Sequence, residues 1–205
     1  MLKTQLALFD LDGVLVNACD WHYEALNRAL REISNTEIGR KEHEGLYNGL
    51  PTRVKLAALA DFGRIKAEDM DAISDLKQKY TTEVINEKCK MDVEKVRVMS
   101  WLRDRNITIM CVTNSIRKTA LQMLRNSCVK DFMFKVISNE DITNSKPNHE
   151  GYVAAMVMAQ TLPENTVIFE DSPKGIEAAS GLGAKVVKVK DADDVTVDLM
   201  IEVIK

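Results

Sequence analysis

The sequence predicts an α/β fold, in which a parallel sheet is flanked by helices and an all-helical segment is inserted after the first strand. Short apolar runs alternate with helical patterns from residue 92 onward, which is typical of βαβ units. Another apolar run, at residues 5–9, must join the same sheet, because an isolated parallel strand leaves its backbone groups unpaired. No strand pattern occurs between residues 17 and 91, so we expect the insertion to be helical.

The inserted segment is predicted to contain three helices, at residues 20–33, 52–62 and 67–87, because apolar residues recur there at helical spacing. Pro51 and the capping hydroxyl of Thr52 indicate where the second of them begins. We therefore expect two domains. Residues 1–16 with 91–205 form the α/β core, and residues 17–90 form a small helical domain.

The second half of the chain supplies the other strands of the sheet. An amphipathic helix from residue 93 leads into the strand "ITIMCV", and "TNS" at residues 113–115 is predicted to begin the next helix. The later predicted elements are the strand "KVIS", a helix after Pro147, the strand "TVIFE", a helix after "DSPKG" and the strand "KVVKV".

The composition is typical of a globular protein and excludes several functional classes. Of the 205 residues, 45% are hydrophobic and 29% are charged, and the formal net charge is −3, so a basic surface for nucleic acid is not expected. No apolar run approaches the ~20 residues of a membrane-spanning helix, and no secretory signal pattern is present. We expect a cytoplasmic protein with no nucleic-acid or membrane partner. Cys19, Cys89, Cys111 and Cys128 are widely spaced and are predicted to be free buried thiols.

Polar residues follow the predicted strands, at the edge of a parallel sheet where ligands bind. They are Asp10 and Asp12, Thr113 and Asn114, Lys146, and Glu170 with Asp171. Residues two apart on a strand point the same way, so the carboxylates of Asp10 and Asp12 should lie together. Two such charges repel each other unless a cation or a proton lies between them.

These residue types together indicate phosphoryl transfer. Carboxylate ligation suits Mg²⁺, the N-terminus of a helix after Thr113 suits a phosphate group, and Lys146 adds a positive charge. One aspartate could attack phosphorus while the other transfers protons. Each feature also has a structural interpretation: Thr113 as a helix cap, Lys146 as a surface residue, and the acidic pair at 170 and 171 as a partner of the next helix dipole.

The motifs resemble those of the haloacid dehalogenase superfamily, in its β-phosphoglucomutase-like and phosphatase branch. They are "FDLDGVL", "VTNS", "SKP" and "FEDSPKGIEAA", and the resemblance extends from about residue 5 to 190. It implies a Rossmann-like core with a helical cap inserted after the first motif, Mg²⁺ dependence and an aspartyl-phosphate intermediate.

The resemblance also implies roles for individual residues. Asp10 is the nucleophile and a metal ligand, and Asp12 is the general acid and base and binds the metal through its carbonyl. Thr113 and Lys146 hold the phosphoryl group, and Lys146 neutralises the nucleophile. Asp171 binds the metal with support from Glu170.

Substrate binding is assigned to Asn114, His22 and Arg53, the last two by their resemblance to a histidine and a cap arginine of the β-phosphoglucomutase-like branch. Dehalogenases and phosphonate hydrolases lack the aspartate that is present here as Asp12. Mutases usually have an aspartate and a threonine where this chain has Asn17 and Ala18.

The resulting hypothesis is a Mg²⁺-dependent phosphatase of a small phosphorylated metabolite, such as a sugar phosphate. A β-phosphoglucomutase-type isomerase is the first alternative, and a non-enzymatic binding or regulatory protein on the same fold is the second. The sequence leaves the substrate and the oligomeric state open, although a monomer is plausible.

Overall fold

A computed structural model describes residues 4–204, which form two compact units. One unit contains residues 4–17 and 90–204, and the other contains Ala18–Cys89. Residues 1–3 and 205 of the predicted core domain lie outside the described residues.

The first unit is built on a five-stranded parallel sheet in the order β3-β2-β1-β4-β5. Its strands are β1 Leu6–Phe9, β2 Thr108–Val112, β3 Lys135–Ile137, β4 Thr166–Glu170 and β5 Lys185–Lys188. The first strand lies at the centre, with Leu6 opposite both Thr108 and Thr166. A parallel strand covered on both faces needs apolar residues at every position, and all four residues of β1 are fully buried. The predicted α/β fold with a parallel sheet is confirmed.

The unit Ala18–Cys89 is helical throughout. It contains α1 Cys19–Ser34, α2 Arg40–Glu42, a π-helical turn His43–Tyr47, α3 Thr52–Asp61, a 3₁₀ turn Ala67–Asp69 and α4 Met70–Lys88. Buried apolar residues from these helices, among them Leu26, Leu30, Leu56 and Ile73, form its hydrophobic core. The α3 helix begins at Thr52 itself, so Pro51 is the cap residue and the expected cap by the Thr52 hydroxyl is wrong.

Five more helices lie in the α/β unit within the described part of the chain. They are α5 Val93–Arg103, α6 Arg117–Asn126, α7 Glu150–Met158, α8 Pro173–Ala179 and α9 Val197–Val203. Residues of α7 and α8 pack against the sheet in one core cluster with Leu6, Leu8 and Ile168. No helix between residues 4 and 204 is both long enough and apolar enough to cross a bilayer.

Two local expectations are corrected. The helix predicted to begin at residues 113–115 begins at Arg117, because Ile116 before it is still extended, with φ −67° and ψ 149°. None of the four cysteines forms a disulfide bond; Cys89 and Cys111 are buried as expected, but Cys19 is only half-buried and Cys128 is exposed.

Candidate active site

The central strand and its two neighbours bring the predicted residues to one edge of the sheet. Asp10 directly follows β1, Thr113 directly follows β2, and Glu170 is the last residue of β4. Because β1 lies between β2 and β4, these three positions are adjacent. Lys146 enters from the loop between β3 and α7, so side chains from four segments of the α/β unit meet there.

Lys146 is at the centre of this group and only 6% exposed. Its Nζ donates to Asp10 Oδ1 at 2.6 Å, to Glu170 Oε1 at 2.5 Å and to the Val112 carbonyl at 2.8 Å. These three bonds equal the number of N–H groups on an ammonium. Burial by itself lowers the pKa of Lys146, but the charges of Asp10 and Glu170 outweigh it and hold that pKa well above its ordinary value. Lys146 is therefore a fixed positive charge.

Glu170 is fully buried, which is rare for a carboxylate. Its Oε1 accepts hydrogen bonds from Lys146 and from the hydroxyl of Tyr152 in α7. Its Oε2 is buried and has no hydrogen-bond partner among the described residues. At Gly175 the backbone of α8 comes so close that a Cβ atom there would lie 2.0 Å from Oε2. The carboxylate is enclosed by protein, yet one oxygen is left unsatisfied.

Asp171, the next residue, also has a buried oxygen without a partner in the described chain, its Oδ1. Burial raises the pKa of Asp171 to about 7, and the charge of Glu170 adds to this shift. Gly13 lies against the same carboxylate, with a positive φ of 96°, and a Cβ at this position would be 2.2 Å from Asp171 Oδ2. Only a glycine fits this turn without moving Asp171.

The carboxylates of Asp10, Glu170 and Asp171 each place one oxygen within 4.8 Å of the others. Burial raises the pKa of Asp10 well above its ordinary value, and Lys146 offsets this only in part. When all three carboxylates are ionised, they carry two more negative charges than the single ammonium balances, and burial makes this costly unless a proton or a cation neutralises them. The unsatisfied oxygens and this charge difference fit a divalent cation that prefers oxygen ligands, such as Mg²⁺. The group could therefore hold a metal ion.

Asp12 lies near this group, but its carboxylate is bound by hydroxyl groups rather than by Lys146. The hydroxyl of Ser115 donates to Asp12 Oδ2 at 2.7 Å, and the Thr113 hydroxyl approaches the same oxygen at 3.5 Å. Asp12 is half-buried, whereas Asp10 is 7% exposed. The two aspartates of the first motif thus have different environments, which suits two different chemical roles.

The residues after β2 form a turn before α6. The backbone N–H of Ser115 donates to the Thr113 hydroxyl at 3.0 Å, and the first N–H of α6, at Arg117, donates to Glu140. The N-terminus of α6 is thus not at Thr113 and its first N–H group is already occupied. The expectation that a helix begins directly after Thr113 is therefore wrong, whereas the assignment of Thr113 to a phosphoryl group stays a prediction.

Asn114 connects the end of β2 to the Lys146 loop. Its side-chain amide donates to the Lys146 carbonyl at 3.1 Å and accepts from the Lys146 N–H at 3.0 Å. This pair of bonds fixes the backbone from which the buried ammonium extends.

His22 and Arg53 belong to the helical unit, in α1 and α3. The Nδ1 atom of His22 lies 3.4 Å from Nζ of Lys77, and Arg53 forms an ion pair with Asp71 at 2.8 Å. Both members of that ion pair are about three-quarters exposed.

Sequence reasoning missed two residues of this site, Tyr152 and Ser115. Tyr152 belongs to an apolar helical pattern and so resembles an ordinary core residue, although a buried tyrosine hydroxyl generally needs a partner. Ser115 stands two residues after Thr113 in the "TNS" segment, which the sequence suggested only as the beginning of a helix.

A model of the haloacid dehalogenase-like hydrolase family matches residues 7–189. The phosphorylated carbohydrates phosphatase of Thermotoga maritima is 26% identical over 185 residues, which cover 87% of this chain and 82% of that protein. The β-phosphoglucomutase of Bacillus subtilis is 23% identical over 186 residues, covering 86% and 79%. A crystal structure of β-phosphoglucomutase from Clostridium difficile has a TM-score of 0.83 at 20% identity, covering 97% of this chain and 96% of that one. That likeness shows the shared fold.

The close approach of Gly13 to Asp171 predicts the effect of Gly13→Ala. We expect added Mg²⁺ to raise the melting temperature of the unmodified protein, and we expect this variant to lose most of that rise, because the new Cβ displaces Asp171. Differential scanning fluorimetry after removal of metal, with and without added Mg²⁺, measures this rise.

Gly181→Ala is the matched control, since Gly181 also has a positive φ, of 77°, but open space at the Cβ position. It should lower the melting temperature through backbone strain of about 1 kcal/mol and keep the Mg²⁺ response. An equal Mg²⁺ response in both variants would contradict the proposed contribution of Asp171.

Proposed function

Because the chain belongs to the haloacid dehalogenase-like hydrolases, we propose that it is a Mg²⁺-dependent phosphatase of a small phosphorylated metabolite. The observation that carries this proposal is the group formed by the buried Asp10 and Glu170 with the half-buried Asp171, whose charge Lys146 only partly balances. With all three carboxylates ionised, the group lacks two positive charges, which a divalent metal ion would supply. An ion there would also assist attack on phosphorus by the carboxylate of Asp10 at the end of β1. The relative from Thermotoga maritima supports a sugar phosphate as the substrate.

In this proposal Asp10 is the nucleophile. Lys146 fixes its carboxylate through Oδ1 and stabilises its negative charge, so that Asp10 is oriented before the substrate arrives. An oxygen of Asp10 forms a bond to phosphorus as the bond from phosphorus to the ester oxygen breaks, which leaves an aspartyl-phosphate on Asp10.

Asp12 transfers the protons. Its carboxyl group gives a proton to the departing ester oxygen in the first step and takes one from water in the second, when water attacks phosphorus and releases Asp10. Ser115 and Thr113, both near Oδ2, orient this carboxyl group. We also propose that Thr113 and Lys146 bind the phosphoryl group. Lys146 would give up one of its three present hydrogen bonds to donate to a phosphoryl oxygen.

Asp10, Glu170 and Asp171 would hold the Mg²⁺ ion, together with the backbone carbonyl of Asp12. When bound, the ion supplies positive charge that neutralises the carboxylates and the phosphoryl oxygens. This assignment is supported by Oε2 of Glu170 and Oδ1 of Asp171, which are buried and have no hydrogen-bond partner among the described residues.

We also propose that the unit Ala18–Cys89 is the substrate-selecting cap, with Arg53 and His22 as contributors and Asn114 contributing from the α/β unit. Arg53 suits this role because its guanidinium is exposed and paired only weakly through an exposed ion pair, so an anionic group can replace Asp71 at low cost.

A β-phosphoglucomutase-type isomerase is the alternative, supported by the relative from Bacillus subtilis. Asn17 favours the phosphatase. Its side chain accepts from the Ala192 N–H at 2.9 Å and donates to Asp193 at 3.1 Å, so an uncharged amide is held at the position where mutases usually have an aspartate.

The direct test is release of inorganic phosphate from a panel of sugar phosphates and nucleotides, with Mg²⁺ and with a chelator. We expect Mg²⁺-dependent turnover with at least one sugar phosphate, and a loss on the order of a thousandfold or more in Asp10→Asn, which lacks the nucleophile. The chelator should abolish turnover because the carboxylates lose their counterion.

The proposal would be contradicted if no phosphate were released from any member of the panel. Conversion of β-glucose 1-phosphate to glucose 6-phosphate, measured in a coupled assay, would then support the isomerase. Absence of both activities would support the binding protein on the same fold.

Arg53→Ala tests the assigned role of the helical unit. We expect a KM at least about tenfold higher for the preferred substrate, since a charged hydrogen bond contributes about 1.5–3 kcal/mol, and an unfolding free energy changed by less than about 1 kcal/mol. Asp71→Ala is the matched control, because it breaks the same ion pair without removing the cation. An unchanged KM in Arg53→Ala, or an equal increase in both variants, would refute the role.

A further inference from the structure

Tyr152 is a buried polar residue that the proposed mechanism does not use. It lies in α7, is fully buried, and is among the largest side chains of the core. Its hydroxyl donates to Glu170 Oε1, and the Lys146 ammonium lies 4.9 Å from the centre of its ring. Tyr152 thus contacts both Glu170 and Lys146, which are themselves hydrogen-bonded to each other.

The two oxygens of Glu170 are in different environments. Oε1 accepts from both Lys146 and Tyr152, whereas Oε2 is buried and has no partner in residues 4–204. Rotation about the last bond of a glutamate side chain is soft, so a carboxylate held by a single donor can turn. Two donors on Oε1 restrict this rotation, so Oε2 stays on the side of the carboxylate that faces away from Lys146 and Tyr152.

A tyrosine hydroxyl is suited to this contact because it adds a donor without adding charge. A phenol is protonated at neutral pH, so the Tyr152 hydroxyl donates its hydrogen to Glu170 Oε1. A second lysine would make the same bond but would reduce the negative charge that attracts a cation.

The backbone around Tyr152 permits the close approach of α7 to the sheet. Gly151 precedes it, and a Cβ at that position would lie 2.8 Å from the Val112 side chain at the end of β2. The glycine lets α7 pack directly against β2, which places the hydroxyl of the next residue within reach of Glu170 on β4.

From this geometry we propose that Tyr152 is a positioning residue for the cation: its hydroxyl and Lys146 hold Glu170 Oε1, so that Oε2 is directed to the metal. The inference rests on the proposed function, since it assigns Glu170 as a ligand. Partners that orient metal ligands in this way commonly change metal affinity about 10–100-fold when they are removed.

The test is Mg²⁺ binding to metal-stripped Tyr152→Phe, measured by isothermal titration calorimetry without substrate. The variant removes the hydroxyl and keeps the ring that contacts Lys146. We expect a Kd for Mg²⁺ at least about tenfold higher than in the unmodified protein. Phosphate release should approach the unmodified rate at saturating Mg²⁺, with an unchanged KM for substrate.

Tyr80→Phe is the matched control. The Tyr80 hydroxyl also donates to a glutamate, Glu32, but both residues lie in the helical unit. This control should bind Mg²⁺ like the unmodified protein. Urea unfolding of both variants establishes that they are folded under the conditions of the titration.

An Mg²⁺ Kd for Tyr152→Phe within twofold of the unmodified value would overturn the inference. So would a variant that fails to fold, since the hydroxyl would then serve stability rather than metal binding. Failure of the proposed function is distinguishable, because the unmodified protein would itself bind no Mg²⁺ or release no phosphate.

Discussion

The structure of the site depends on one buried ammonium that faces more negative charge than it can balance. Lys146 reaches Asp10, Glu170 and the Val112 carbonyl, and these bonds use all of its N–H groups. Without Lys146, three carboxylates at adjacent strand ends would be too costly to bury. With it, two negative charges remain when all three carboxylates are ionised, which equals the charge of one divalent cation, so the group could hold a metal ion.

The second constraint is the close approach of the backbone to the carboxylates, which is possible only where the backbone residue is a glycine. Gly13 and Gly175 lie against the carboxylates of Asp171 and Glu170, where any side chain would collide with an oxygen atom. Each of these two successive acidic residues thus has backbone in close contact with its carboxylate. The repulsion between these carboxylates is relieved by protonation, as the raised pKa of Asp171 indicates, or by a bound cation.

Much of the fold and the site follows from local sequence. The strands are predictable because both faces of a central parallel strand are buried, as the uniformly apolar β1 illustrates, and Asp10 and Glu170 are predictable because strand ends meet at one edge. The start of α6 could not be predicted in this way. Ile116 is extended, and a turn closed by the Thr113 hydroxyl takes the place of the first helical turn. The role of Tyr152 could not be predicted, because its partner Glu170 is distant in sequence and its position fits the apolar spacing of a core-facing helix.

The central claim is that Asp10 forms a covalent bond to the phosphoryl group. It is tested most directly by quenching the reaction with acid during turnover of a good substrate with Mg²⁺ and locating phosphate on the protein by peptide mass spectrometry. The account predicts a phosphoryl group on the peptide containing Asp10, labile to hydroxylamine as an acyl phosphate is, and absent from Asp10→Asn. Turnover with no phosphorylated peptide at any quench time, or with the phosphate on another residue, would contradict it.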